Sequence, residues 1–164
     1  MSGPSGLPAV RLLLCGERLR GDDSAALLVA EWLPEDARSL ADIVEVGQLS
    51  VEALLDVPDS VAVIVADAAV GVAAGVVVTL PLDRVAAGRA DSSAAPASSH
   101  SLPPDQVLAI AAELRGSMPR GVFVGIGGAE FGFGAGLSPA VAAGLARFAS
   151  TLAHEIRRLA APKT

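Results

Sequence analysis

Five short aliphatic runs set the strongest limit on how this chain folds. They are "AVRLLLC" (9–15), "DIVEV" (42–46), "VAVIVADA" (61–68), "GVVVTL" (75–80) and "GVFVGIG" (121–127). All are rich in Val, Ile or Leu, and several carry no polar residue through their centre. A strand of that kind has to be covered on both faces. Between the runs, "DSAALLVAEWL" (23–33), "SVEALLDV" (50–57), "PPDQVLAIAAELRG" (103–116) and "SPAVAAGLARFASTLAHEIRRL" (138–159) repeat apolar residues at helical spacing. The alternation predicts an α/β domain with a twisted, mostly parallel five-stranded sheet and helices on both faces. "GVVVTL" follows the preceding run too closely for a helical crossover, so it is expected to run antiparallel at an edge.

The helix ends are marked locally. Two prolines open the third helical segment and Gly116 closes it. Ser138-Pro139 places an N-cap residue and a first-turn proline at the start of the last, which ends in basic residues suited to the helix dipole. One stretch, "AAGRADSSAAPASSHS" (86–101), breaks the pattern and reads as a flexible loop.

A chain of 164 residues is long enough for one domain with a real core. We expect a single domain over 1–164, with about 1–8 and 161–164 flexible. Hydrophobic residues make up 52% of the chain but aromatics only 3%, so that core is built from small aliphatic side chains. The net charge of −6 leaves no basic stripe to neutralise phosphates, which predicts no nucleic-acid partner and no anionic membrane surface. Cys15 is the single cysteine, which excludes an internal disulfide and suits a reducing compartment. The first ten residues do not read as a signal peptide, and no apolar run reaches the ~18 residues of a membrane span. The expectation is a cytoplasmic protein.

In open α/β sheets ligands bind at the carboxyl ends of the strands. Three polar features fall there. The first strand runs through "GERLRGDD" to Asp22 and Asp23, the third ends in Asp67, and the flexible loop carries His100 to the edge of the next helix. Two carboxylates and an imidazole from separate segments suit an oxygen-rich divalent-metal site with open positions. Each also has a plain structural role. Asp22 or Asp23 can cap the first helix, Asp67 can cap a turn through its own backbone, and His100 can be solvated. His154 lies within the last helix and reads as structural or superficial.

Other chemistries have less support. Cys15 with His100 as base is a conceivable nucleophile, but a small buried hydrophobe is the simpler role. "GIGGAEFGFGAG" (125–136) follows a strand and precedes a helix without completing G-x-G-x-x-G. Within it Glu130 either binds a partner or solvates the turn. Neither a P-loop nor a G-x-S-x-G elbow is present. A nucleotide-binding reading therefore rests on fold analogy alone.

Taken in order, "CGERLRGDDSAALLV", "VIVADA", a loop histidine before a helix, and "VGIGGAEFGFGAGLSPAV" before the last helix resemble the hydrogenase maturation proteases. The resemblance runs from about Ala9 to Ile156. Of the family motif G-x-G-N-x-L-x-x-D-[DE]-x-x-G, the second glycine is Gly16, the leucine Leu19 and the acidic pair Asp22-Asp23. Leu14, Glu17 and Ala26 depart from it. "EVGQLS" (45–50) keeps only Gly47 of a family glycine pair, and glycine replaces a proline near residue 127.

The resemblance implies a small cytoplasmic, aspartyl-type endopeptidase, a monomer, that trims the carboxy-terminal tail of a nickel-iron hydrogenase large-subunit precursor. Its metal-contacting and catalytic residues fall on Asp23, Asp67 and His100. The nickel is supplied by the substrate, and another divalent ion is open to the isolated protein. In this reading Asp22 supports the turn and the helix start, Asp23 faces the rim, and Leu19 and Gly21 let the chain bend. The altered turns keep a second role open, that of a non-catalytic, metal-dependent chaperone for the large subunit on the same fold.

Overall fold

The computed structural model describes residues 6–88 and 102–162. The strands are β1 (Val10–Cys15), β2 (Ala41–Gly47), β3 (Ala62–Ala69), β4 (Val77–Pro81) and β5 (Gly121–Gly127). The α-helices are α1 (Ala25–Val29), α2 (Glu35–Leu40), α3 (Val51–Leu55), α4 (Leu82–Ala87), α5 (Pro104–Arg115) and α6 (Pro139–Ala160). The five strands form one sheet in the order β2-β1-β3-β5-β4. β1 pairs in parallel with β2 and β3, and β3 with β5, while β4 runs antiparallel to β5 at the edge. The expected architecture and the antiparallel edge strand are both present.

Strand side chains alternate between the two faces, and this divides the core in two. Leu12, Leu14, Ile64, Ala66, Val124 and Ile126 point to the face covered by α1, α2 and α6, where Phe148, Leu152 and Ile156 pack on them. Leu13, Cys15, Val63 and Val65 point to the other face, against Leu54 of α3, Leu82 of α4 and Val107, Leu108 and Ala111 of α5. The long apolar stripe of α6 is thus explained by its cover of the central strands. Among the described residues no helix is long and apolar enough to cross a membrane.

Three elements differ from the sequence reading. The first helical segment is not one helix: a 3-10 turn (Gly21–Ser24), α1 and a second 3-10 turn (Ala30–Trp32) follow one another. Leu33 is extended because Pro34 follows it, and this ends the segment. Two short helices, α2 and α4, go beyond the sequence reading. Each follows an extended proline, Pro34 or Pro81, and six residues are too few to show a helical period. Ala86 and Ala87, assigned above to the flexible loop, belong to α4; residues 89–101 lie outside the described residues, as do 1–5 and 163–164.

The chain leaves β1 towards β2 on one side and reaches β3 on the other. The carboxyl ends of β1 and β3 therefore flank the point where the strand order reverses, which is where α/β sheets open a crevice.

Candidate functional site

The site is built outward from the end of β1. The register with β2 slips between Leu14 and Cys15, and the Gly16 N–H donates to the Gly47 carbonyl at 2.6 Å. Gly16 has φ +133°, and a Cβ there would sit 1.9 Å from the Asp23 carbonyl oxygen. Only glycine lets the loop fold back this tightly. The returning loop is tied by Arg20 N–H to Glu17 O (3.3 Å) and Asp23 N–H to Arg20 O (3.1 Å). The Glu17 N–H then donates to Asp23 Oδ2 at 3.0 Å. The departure from the motif's asparagine at Glu17 leaves this contact intact, because the backbone makes it.

The neighbouring carboxylate does something different. Asp22 is fully buried, and its oxygens accept from the N–H groups of Ala129 (2.8 Å), Glu130 (2.9 Å) and Ser138 (2.7 Å) and from the Ser138 hydroxyl (2.9 Å). Its own N–H donates to the Glu130 carbonyl at 2.7 Å. Burial opposes the charge, but these four donors outweigh it and hold the acid below the usual carboxylate range. Neither the first 3-10 turn nor α1 has a side-chain cap. The expectation that one of the pair caps the first helix is thus corrected. The helix whose start Asp22 supports is α6, with Ser138 as its N-cap residue by position.

Asp67 lies near the end of β3, opposite Gly125 of β5, and its Oδ1 accepts from the Ala68 N–H at 2.8 Å. Its neighbour Ala66 pairs with Leu14 on β1, so Asp67 stands beside Cys15 and the start of the returning loop. Burial, then the charge of Asp23, pushes Asp67 up to about 7, with the Ala68 N–H pulling the other way. Asp23 is also raised, chiefly by burial, against the Glu17 N–H and the Arg20 charge. The two acids are therefore near enough to resist each other's ionisation, an arrangement that a cation relieves.

Cys15 is buried beside them. Desolvation first, then the charges of Asp67 and Asp23, push its thiol far up, which leaves it a core side chain and not a nucleophile. His100 lies outside the described residues. Among those described, no group of three or more His, Cys, Asp or Glu side chains is arranged to hold a metal ion. Glu130 contributes its backbone to Asp22 while its side chain is exposed, and His154 is exposed on α6.

Two residues absent from the sequence reading complete the rim. The Arg20 guanidinium lies 5.3 Å from the centre of the Phe133 ring, within the range of a cation–π contact. The Gly134 N–H donates to the Leu19 carbonyl at 3.0 Å, so the loop after β1 and the glycine-rich loop after β5 are clasped together. No local signal marks this pair, since the partners come from opposite ends of the chain.

Comparison with known proteins supports the architecture. No family model and no curated protein sequence matches the chain. Among solved structures, the hydrogenase maturating endopeptidase HybD from E. coli is 23% identical, covers 91% of this chain and 92% of its own, and superposes with a TM-score of 0.71. The NiFe hydrogenase maturation protease HycI from Thermococcus kodakarensis is 23% identical over 93% and 95% of the two chains, with a TM-score of 0.62. The solution structure of an endopeptidase from Escherichia coli gives 23% identity, 90% and 93% coverage and a TM-score of 0.67. The chain shares their fold along nearly its whole length.

Proposed function

We propose that this chain is an endopeptidase of hydrogenase maturation, which removes the carboxy-terminal tail of a nickel-loaded large-subunit precursor. The observation that carries the proposal is the convergence of Asp23 and Asp67 at the crevice between β1 and β3, in a fold whose solved members include hydrogenase maturation endopeptidases.

In this reading nickel arrives as part of the substrate. Asp23, Asp67 and His100 complete its coordination, mixed oxygen and nitrogen donors that suit such an ion. The two acids disfavour each other's charge, and that repulsion is relieved when a cation enters, so the empty pair favours a loaded precursor over an unloaded one. Binding also places the tail beside the carboxylates, where positioning lowers the barrier. Hydrolysis adds the oxygen of water to the scissile carbonyl carbon and breaks the carbon–nitrogen bond. A carboxylate accepts a proton from the water, and the leaving amine takes one up. Asp22 has no part in this exchange, because its lone pairs are committed to the loop before α6.

The test is the intact mass of the precursor large subunit after co-expression with this protein, with and without nickel. Loss of a carboxy-terminal peptide, dependent on nickel and absent with Asp67→Ala, supports the protease. An unchanged mass with co-purification of the two proteins supports the chaperone role instead.

A further inference from the structure

The clasp between the two rim loops contains a side chain that its fold role does not explain. Arg20 sits at the entry to the turn that carries Asp23, and its guanidinium lies over Phe133. Its Nε is buried from solvent and has no hydrogen-bond partner. Among the described residues the rest of the guanidinium makes no ion pair or hydrogen bond either. Among the described residues the other arginine with a buried, unpartnered Nε is Arg115, and it differs in kind. Its remaining nitrogens donate to the carbonyls of Leu54 and Val57 and to Asp59, so it is a tie between α5 and α3. Among the described residues Arg20 has the aromatic face of Phe133 and the nearby charge of Asp23, with no hydrogen bond to either.

Its surroundings are suited to a polypeptide. Phe133 is 77% exposed, the most exposed large apolar side chain among the described residues, and Leu19 is 71% exposed, both on loops of the rim. The loops themselves are anchored, through Asp22 and through Gly134 to Leu19, so the ring and the guanidinium are presented from a fixed base. A planar cation set over a ring keeps its outer Nη donors free, and these match main-chain carbonyl and carboxylate oxygens. Beside Asp23, such a cation also offers an oxygen-bearing segment a landing point that the acid itself does not.

We infer that Arg20, stacked on Phe133, is a substrate-positioning residue that receives main-chain carbonyl oxygens of the bound precursor tail beside Asp23. This inference rests on the protease reading and names the part of the substrate that the rim holds.

The experiment measures both binding of the nickel-loaded precursor and the rate of tail removal, for wild type, Arg20→Gln, Arg20→Lys and Phe133→Ala, each checked for an unaltered melting temperature. A lost charge-assisted hydrogen bond predicts a rise in KM and Kd of about tenfold or more for Arg20→Gln, with kcat changed by less than about threefold. Arg20→Lys keeps the charge but not the planar fork, so it should share most of that loss. Phe133→Ala, which removes the ring beneath the fork, should fall between the two. Full rescue by Lys would overturn the inference, since a purely electrostatic influence on Asp23 would then suffice. So would a KM and Kd for Arg20→Gln within about twofold of wild type, or a fall in kcat alone. A wild type that binds but does not cleave removes the protease reading and leaves the Kd series to decide the role of Arg20. A wild type that does neither overturns both.

Discussion

The carboxylate of Asp22 accepts both the N–H and the hydroxyl of Ser138, at 2.7 and 2.9 Å, across 116 positions of sequence. This pair joins the exit of β1 to the entry of α6 and so fixes the two loops that border the site. Replacing Asp22 with Ala strands three N–H groups and a hydroxyl. The cost should be about 3 kcal/mol or more, lowering the melting temperature by roughly 10 °C. Asp22→Asn should recover only part of it, because an amide nitrogen would face a donor. Thermal unfolding of the two variants checks this, and a loss under about 1 kcal/mol for Asp22→Ala would contradict it.

Asp67 should make the isolated protein less stable at neutral pH than its asparagine variant. Its acid is about 7 in the folded chain and lies in the ordinary carboxylate range when unfolded. The folded state then holds more protons than the unfolded state between those values, so stability falls as pH rises through that window. Below it the penalty is absent. Asp67→Asn should therefore melt higher at pH 8, on the order of 5 °C, and the gap should close towards pH 4. A gap that widened on acidification would reverse the sign and refute the assignment.

Asp22 is expected to act in the opposite sense. Its folded value is lowered, so its contribution is present above the ordinary carboxylate range and is lost as pH falls through it. In wild type the two effects combine into a stability maximum between them, which melting curves across pH 3 to 8 should trace. A monotonic rise across that range would show that the Asp67 penalty is missing.

Cleavage should disappear in Asp67→Ala and His100→Ala, by about a hundredfold or more, with circular dichroism unchanged. Asp67 lies outside the hydrophobic clusters that hold the sheet. A variant with full activity would remove its residue from the site. Cys15→Ala, by contrast, should retain cleavage within about threefold, because the buried thiol serves packing.

Gly16→Ala should damage both folding and activity. The added methyl meets the Asp23 carbonyl oxygen at 1.9 Å, and the backbone at φ +133° is strained for any L side chain. Melting lowered by roughly 10 °C together with loss of tail removal is the expected result. Intact activity would mean that the loop can relax without moving Asp23.

Much of this molecule follows from local pattern. The runs around Leu12, Ile64 and Val124 read as strands because they are short and apolar almost throughout, as strands covered on both faces are, and each does feed both cores. The carboxyl ends of those strands locate Asp23 and Asp67, since Asp67 lies near the end of β3 and Asp23 follows β1 by one short loop. What the sequence could not determine is which partner each polar group meets. Asp22 looks like a helix cap beside its own helix, yet its donors belong to residues 129–138. Arg20 and Phe133 meet only because the sheet order brings the loops after β1 and β5 to one rim. Periodicity and turn chemistry are short-range quantities, legible in one dimension. Hydrogen-bond partnership across more than a hundred residues depends on how the strands are ordered, and only the folded sheet decides that.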